Sequence, residues 1–242
     1  MALAKTAVVV GIGPGAGAGI ARRFAREGYK IALISRRQES IAPVEKELRA
    51  SGAETLAVPC DAGKPEEVVA AYARVCEALG APEVLVYNAG PGGFTWPPPA
   101  ALDINPEAFS RGFDSGVTGA LVWAQQVLPA MVKAGRGTII FTGATASVRG
   151  SAKFAMLACP KFALRALAQS LAREFQPQGV HVAHAIIDGV IDAPRLRSMM
   201  PNRDPNTFLS PDGIADAYWH LHSQHRSAWT HEIDLRPATE TF

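Results

Sequence analysis

The stretch Val8-Val9-Val10-Gly11-Ile12-Gly13-Pro14-Gly15-Ala16-Gly17-Ala18-Gly19-Ile20-Ala21 constrains this chain more than any other. Three consecutive valines favour a strand buried on both faces. Five glycines follow within nine residues. The next segment reads as a helix with Ile20 and Phe24 turned inward and Arg22, Arg23 and Arg26 turned out. Where a strand turns through glycines into a helix, free backbone N–H groups gather at the helix's positive end, and no Cβ keeps a phosphate away. Several registers fit, including Gly11-x-Gly13-x-x-Ala16 and Gly11-x-x-x-Gly15-x-Gly17, and the placement points to a dinucleotide.

The rest of the chain keeps the same rhythm. Ala7–Val10, Ile31–Ile34, Thr55–Val58, Val84–Tyr87, Thr138–Phe141, Val180–Ile187 and Ile233–Leu235 are near-continuous apolar runs, as expected of strands covered on both faces. Helical segments separate them. Val68, Tyr72, Val75 and Leu79 share one face between Pro65 and Gly80, and Asn105-Pro106-Glu107 reads as N-cap, first helical residue and a favourable acid. Seven strands with intervening helices predict an α/β, Rossmann-like, doubly wound fold: one parallel sheet, helices on both faces, a single domain over residues 1–242. Gly90–Asn105, with Pro97-Pro98-Pro99 as a stiff spacer, and Pro194–Ser210 read as loops. Both suit the substrate end of such a fold, and Arg195, Arg197, Met199 and Met200 suit a lid over a partly apolar ligand.

Composition removes other classes. A formal charge of +2 argues against nucleic acid or an anionic membrane as partner. No run approaches the roughly 20 apolar residues of a membrane-spanning helix. The first strand starts too early for a cleaved leader, and three widely spaced cysteines (Cys60, Cys76, Cys159) fit a reducing, cytoplasmic setting. His220-x-His222-x-x-His225 lacks the i, i+4 spacing of a helical metal site, so no metal is expected. The end of the second strand selects the nucleotide. It reads Ser35-Arg36-Arg37, with no carboxylate before Glu39 for ribose hydroxyls, and guanidinium groups pair with phosphate, so NADP(H) is expected over NAD(H).

With Asp61 after the third strand, Asn88-Ala89-Gly90 after the fourth and Ser210-Pro211-Asp212-Gly213-Ile214-Ala215 before the last, the chain resembles the short-chain dehydrogenase/reductase family over nearly its whole length. The resemblance implies a cofactor loop of Gly11, Gly13, Pro14, Gly15 and Gly17, and cofactor contacts from Ser35, Arg36, Arg37, Asp61, Asn88, Ala89, Gly90 and Ile191. Lys161, followed by Phe162-Ala163-Leu164-Arg165, matches the family's lysine, which hydrogen-bonds the nicotinamide ribose. The resemblance also implies a homodimer or homotetramer.

Three polar partners depart from the family's pattern. Leu157 stands at the tyrosine position, Ala144 at the serine and Gly116 at the asparagine. Asp188-Gly189 replaces a Pro-Gly turn, and Ala193 a frequent threonine. A missing general acid costs typically ~10²–10⁴-fold. Thr145 and Asp188 join Lys161 as candidate catalytic residues, with Thr142 and Ser147 also at hand, while Cys159 faces away from Leu157. Pro160 suggests that the helix carrying Lys161 starts late or bends. The expected activity is hydride transfer to a small carbonyl, imine or activated alkene, with non-standard proton donation. A non-catalytic NADP(H) sensor or scaffold is the first alternative, and a lyase or isomerase reusing the pocket is the second.

Overall fold

Each apolar run forms a strand and each periodic segment a helix. In the structure, a computed structural model that describes residues 2–240, the first half runs β1 (Leu3–Val10), α1 (Ala16–Arg26), β2 (Lys30–Ser35), α2 (Gln38–Ala50), β3 (Thr55–Pro59), α3 (Pro65–Leu79) and β4 (Ala81–Tyr87). The second half runs α4 (Pro106–Phe113), α5 (Gly119–Ala134), β5 (Gly137–Thr142), α6 (Ala155–Phe175), β6 (Val180–Ile187), β7 (Val190–Ile191), α7 (Pro194–Met199), β8 (Phe208–Leu209), α8 (Pro211–Ser223) and β9 (Glu232–Leu235). Seven strands form one parallel sheet in the order β3-β2-β1-β4-β5-β6-β9, and β7 pairs with β8 apart from it. The order reverses between β1 and β4, which opens a crevice above their carboxyl ends.

Adjacent residues on a strand feed opposite cores. Val8 and Leu85 pack with Trp123, Phe141 and Leu164 beneath α3, α5 and α6. Val9 and Val86 pack with Phe24, Ile41 and Tyr218 beneath α1, α2 and α8. This double burial is why the runs are continuous rather than alternating, and each fully buried aliphatic side chain contributes roughly 1.5–3 kcal/mol.

Two local expectations are revised and a third holds. Pro194–Ser210 is not a loop, because α7, a short turn at Pro205–Thr207 and β8 occupy it. Pro194 sits in the first turn of α7, and Arg197 pairs with Asp192 just before the helix. Gly90–Asn105 remains irregular apart from one turn at Ala101–Asp103, and Asn105 caps α4 by accepting from the Ala108 N–H at 2.8 Å. Finally, α6 starts at Ala155 despite Pro160 in its second turn. Glycines make room for the ring, since a Cβ at Gly112 or Gly116 would lie 3.3 or 3.1 Å from Pro160 carbons. Gly116 belongs to a π-helical turn, Asp114–Thr118, that joins α4 to α5. Lys161 therefore stands on a regular helix.

Cys60, Cys76 and Cys159 are unpaired. Among the described residues no helix is long and apolar enough to cross a membrane.

Candidate active site

Two cavities lie end to end above the crevice and share Gly11 and Asn88. One, about 160 Å³, is bounded by Ser35, Arg36, Asp61, Ala89, Gly90 and Ser115. The other, about 330 Å³, is bounded by the glycine loop, Thr142, Ala144, Lys161, Ile191 and Leu196, among others. A larger groove of about 660 Å³ lies at the opposite end of the sheet. Its charges are mostly spent on one another, Arg22 on Glu47 and Asp212 and Lys30 on Glu54, so size alone does not make it the site.

The glycine loop is shaped by close approach. Gly11 has φ +95°, and a Cβ there would lie 2.6 Å from the Ala89 nitrogen. A Cβ at Gly17 would lie 2.6 Å from the Gly11 carbonyl oxygen, so α1 begins hard against the end of β1. Gly13 differs, because apart from its chain neighbours no protein atom lies within 4 Å of where its Cβ would be. It borders the larger cavity together with Gly15, whereas Pro14 is exposed and outside the lining. Asn88 fastens the crevice: its side-chain amide donates to the Gly11 carbonyl at 3.0 Å and its backbone N–H to the Val10 carbonyl at 2.8 Å.

At the smaller cavity, Asp61 accepts from the Gly63 N–H at 3.0 Å, and its own N–H donates to Glu67 at 2.8 Å. Arg36 borders this cavity; Arg37 does not, standing instead at the N-terminal boundary of α2. The backbone glycines, the open face of Gly13 and the guanidinium of Arg36 fit a dinucleotide bearing an extra phosphate.

At the larger cavity, Lys161 is 6% exposed and its ammonium donates to the Thr142 carbonyl at 2.5 Å. No carboxylate among the described residues pairs with it, and burial pulls its pKa down to about 8. Ala144 borders the cavity, and Leu157 stands half-buried one turn before Lys161. Thr145 and Asp188 come together but not at the cavity lining. The Thr145 hydroxyl donates to the Asp188 carboxylate, whose other oxygen faces Arg236 at 3.5 Å. On α7, Leu196 rather than the arginines or methionines faces the cavity, and Arg197 is held outward by Asp192.

Of the groups near the site, Ser147 is in view from the sequence, whereas Tyr218, Ser115 and His184 leave no local signal there. The Tyr218 hydroxyl, far along the chain, donates to Thr142 Oγ1 at 2.9 Å. Ser147 Oγ accepts from the Ala144 N–H at 3.1 Å. Ser115 Oγ accepts from the Gly92 N–H at 2.6 Å and so anchors the loop after β4. His184 is buried beside Gly143. Only topology brings these together.

Comparison with known proteins agrees with this geometry. The short chain dehydrogenase family matches residues 5–204. A short-chain dehydrogenase from Rhodopseudomonas palustris superposes with a TM-score of 0.80 at 35% identity, covering 96% of this chain and 99% of that one. A metagenomic short-chain oxidoreductase, solved in complex with NADP, superposes with a TM-score of 0.81 at 27% identity over 98% and 99% of the two chains. Oxidoreductase UcpA of Salmonella typhimurium is 32% identical over 209 residues, 84% of this chain and 75% of that protein. Fold, crevice and relatives converge, and the chain belongs to the short-chain dehydrogenase family.

Proposed function

We propose that the chain is an NADP(H)-dependent oxidoreductase. It transfers hydride between the nicotinamide and a small, partly apolar carbonyl, imine or activated alkene, with Lys161 as the proton source. The observation that carries this reading is a buried ammonium at the wall of the larger cavity, held by one carbonyl and pulled to about 8. The solved relative with NADP, the intact glycine loop and Arg36 support the choice of cofactor.

When bound, the cofactor supplies the hydride. The free backbone N–H groups between Gly13 and Gly17 would hold the pyrophosphate, and Arg36 would hold the 2′-phosphate. Ile191, Ala193 and Leu196 give the reacting end an apolar flank that thins out water. Leu157 and Ala144 carry no dissociable proton, so the site departs from the family's usual serine and tyrosine. Lys161 Nζ gives its proton to the substrate oxygen, nitrogen or carbon that gains negative charge, and water restores it. Thr145 and Asp188, bonded to each other, shape the turn after β6 rather than supply that proton. The working form is a homodimer or homotetramer, which light scattering on the purified protein tests.

Oxidation of NADPH in the presence of ketones, enones and imines, followed at 340 nm, is the decisive assay. Turnover that disappears in Lys161→Met supports the reading. Tight NADPH binding with no turnover across the panel overturns it. That result would favour the non-catalytic sensor or scaffold, which the proton-free Leu157 and Ala144 motivate. Product formed without NADPH consumption would instead indicate a lyase or isomerase.

A further inference from the structure

Lys161 and Arg165 stand one turn apart on α6, and each is tied to the sheet. Lys161 reaches β5 through the Thr142 carbonyl. Arg165 reaches β9 through Glu232, with Nε to Oε2 at 2.6 Å and Nη2 to Oε1 at 2.7 Å. Glu232 Oε2 also accepts from Nδ1 of His184 on β6, at 2.9 Å. The imidazole lies against Gly143, where a Cβ would sit 2.4 Å from His184 Nε2 and 2.9 Å from Ser147 Oγ. Ser147 Oγ in turn holds the Ala144 N–H. His184 and Ser147 thus meet at Gly143, next to the residue whose carbonyl accepts from Lys161, with no hydrogen bond joining their side chains.

We propose that Arg165, Glu232, His184 and Ser147 form a positioning chain, half-buried at the Arg165–Glu232 end and fully buried at His184 and Ser147, that fixes the Thr142–Ala144 wall behind Lys161. This rests on the reading of Lys161 as proton source. The chemistry of the chain sets its polarity. Arg165 holds Glu232 below the usual carboxylate range, so Glu232 accepts only and His184 Nδ1 must carry the hydrogen. Burial pulls His184 down to about 4, which keeps the ring neutral and adds no second cation behind Lys161. Nε2 is left as a bare, buried acceptor without a hydrogen-bond partner. Ser147 Oγ flanks Gly143 beside that ring but makes no hydrogen bond to it, so His184 meets the Thr142–Ala144 wall by packing against Gly143. Ser147 and His184 are both fully buried, so they act through the wall and not on substrate.

The charged groups around Lys161 are few. They are Arg165 on its own helix, Glu232 on β9, and Asp188 with Arg236 beyond the end of β6. Asp114, in the π-turn packed on α6, lies against Gly63 instead, and Arg197 on α7 is spent on Asp192. Thr142 and Tyr218 bring hydroxyls only.

The test needs no substrate. In full-length, histidine- and lysine-labelled protein, nitrogen resonances report the His184 tautomer and the ε-carbon resonance reports the Lys161 titration. The wild type should show His184 protonated on Nδ1 between pH 6 and 8. Glu232→Gln and His184→Leu should each lower the Lys161 midpoint by about half a unit or more. The first leaves Arg165 uncompensated; the second frees the Thr142 carbonyl. His184→Asn, which keeps a donor toward Glu232, should restore most of the shift. If the larger changes prevent folding, Ser147→Ala removes one hydroxyl and should lower the midpoint in the same direction. An Nε2-protonated His184 in the wild type, or a Lys161 midpoint unmoved in the folded variants, overturns the proposal. Either result leaves NADPH turnover to be judged separately.

Discussion

Lys161 is costly to bury, and the proposed proton donation is one use that would offset that cost. Its folded pKa of about 8 lies below the value of 10.5 for a free lysine. Between those two values the unfolded chain binds more protons than the folded one, so this residue's contribution to stability rises with pH across that window. Below about 8 the penalty is fully present. Lys161→Met should therefore stabilise the fold at pH 7, by up to roughly 3 kcal/mol, as read by urea midpoint. The same change should reduce carbonyl reduction by ~10²–10⁴-fold. Reduction by the wild type should fall as pH rises through about 8, where the ammonium is lost. Arg36→Ala should weaken NADPH binding roughly 10–100-fold and leave NADH nearly unchanged, because only the 2′-phosphate loses a charge-assisted partner; fluorescence titration with both nucleotides decides it.

Among elements, the turn from β1 into α1 separates fold from function within a few residues. Gly17→Ala drives a methyl to 2.6 Å from a backbone oxygen and should cost about 1–3 kcal/mol of stability. At Gly13 an added Cβ has no protein atom within 4 Å apart from its chain neighbours, so the thermal midpoint of Gly13→Val should hold while NADPH affinity falls at least ~10-fold. Equal stability losses in both variants would contradict this division. Local patterns made this element legible, since glycine spacing and flanking periodicity lie within one stretch of chain. They failed at α7, where a proline and two ion-paired or exposed arginines read as loop although Pro194 opens a helix and Leu196 turns inward. They also failed at Pro160, whose tolerance depends on Gly112 and Gly116 about 45 residues earlier. The pairing of Thr145 with Asp188 was equally hidden, because strand order, not spacing, brings them together.

Over the whole molecule, the continuous apolar runs announced the sheet, and the sheet determines where the chain is vulnerable to acid. His184 is buried and His222 half-buried, and burial pulls each down to about 4. The unfolded chain takes up their protons as pH falls below about 6.5, while the folded chain resists until about 4. Stability should drop across that window by several kcal/mol in total, on the order of 2–3 for each ring. Urea unfolding at pH 7 and pH 4.5 measures the drop, and His222→Gln should reduce it.

The shared floor of the two cavities has a further consequence. Gly11 and Asn88 belong to both, so on the proposed reading a change at either would disturb the nucleotide and the reactant together. Arg36 borders only one compartment and Leu196 only the other. If the proposed reading holds, cofactor preference and reactant scope should be retunable independently from the two rims, while the floor they share offers no selective handle.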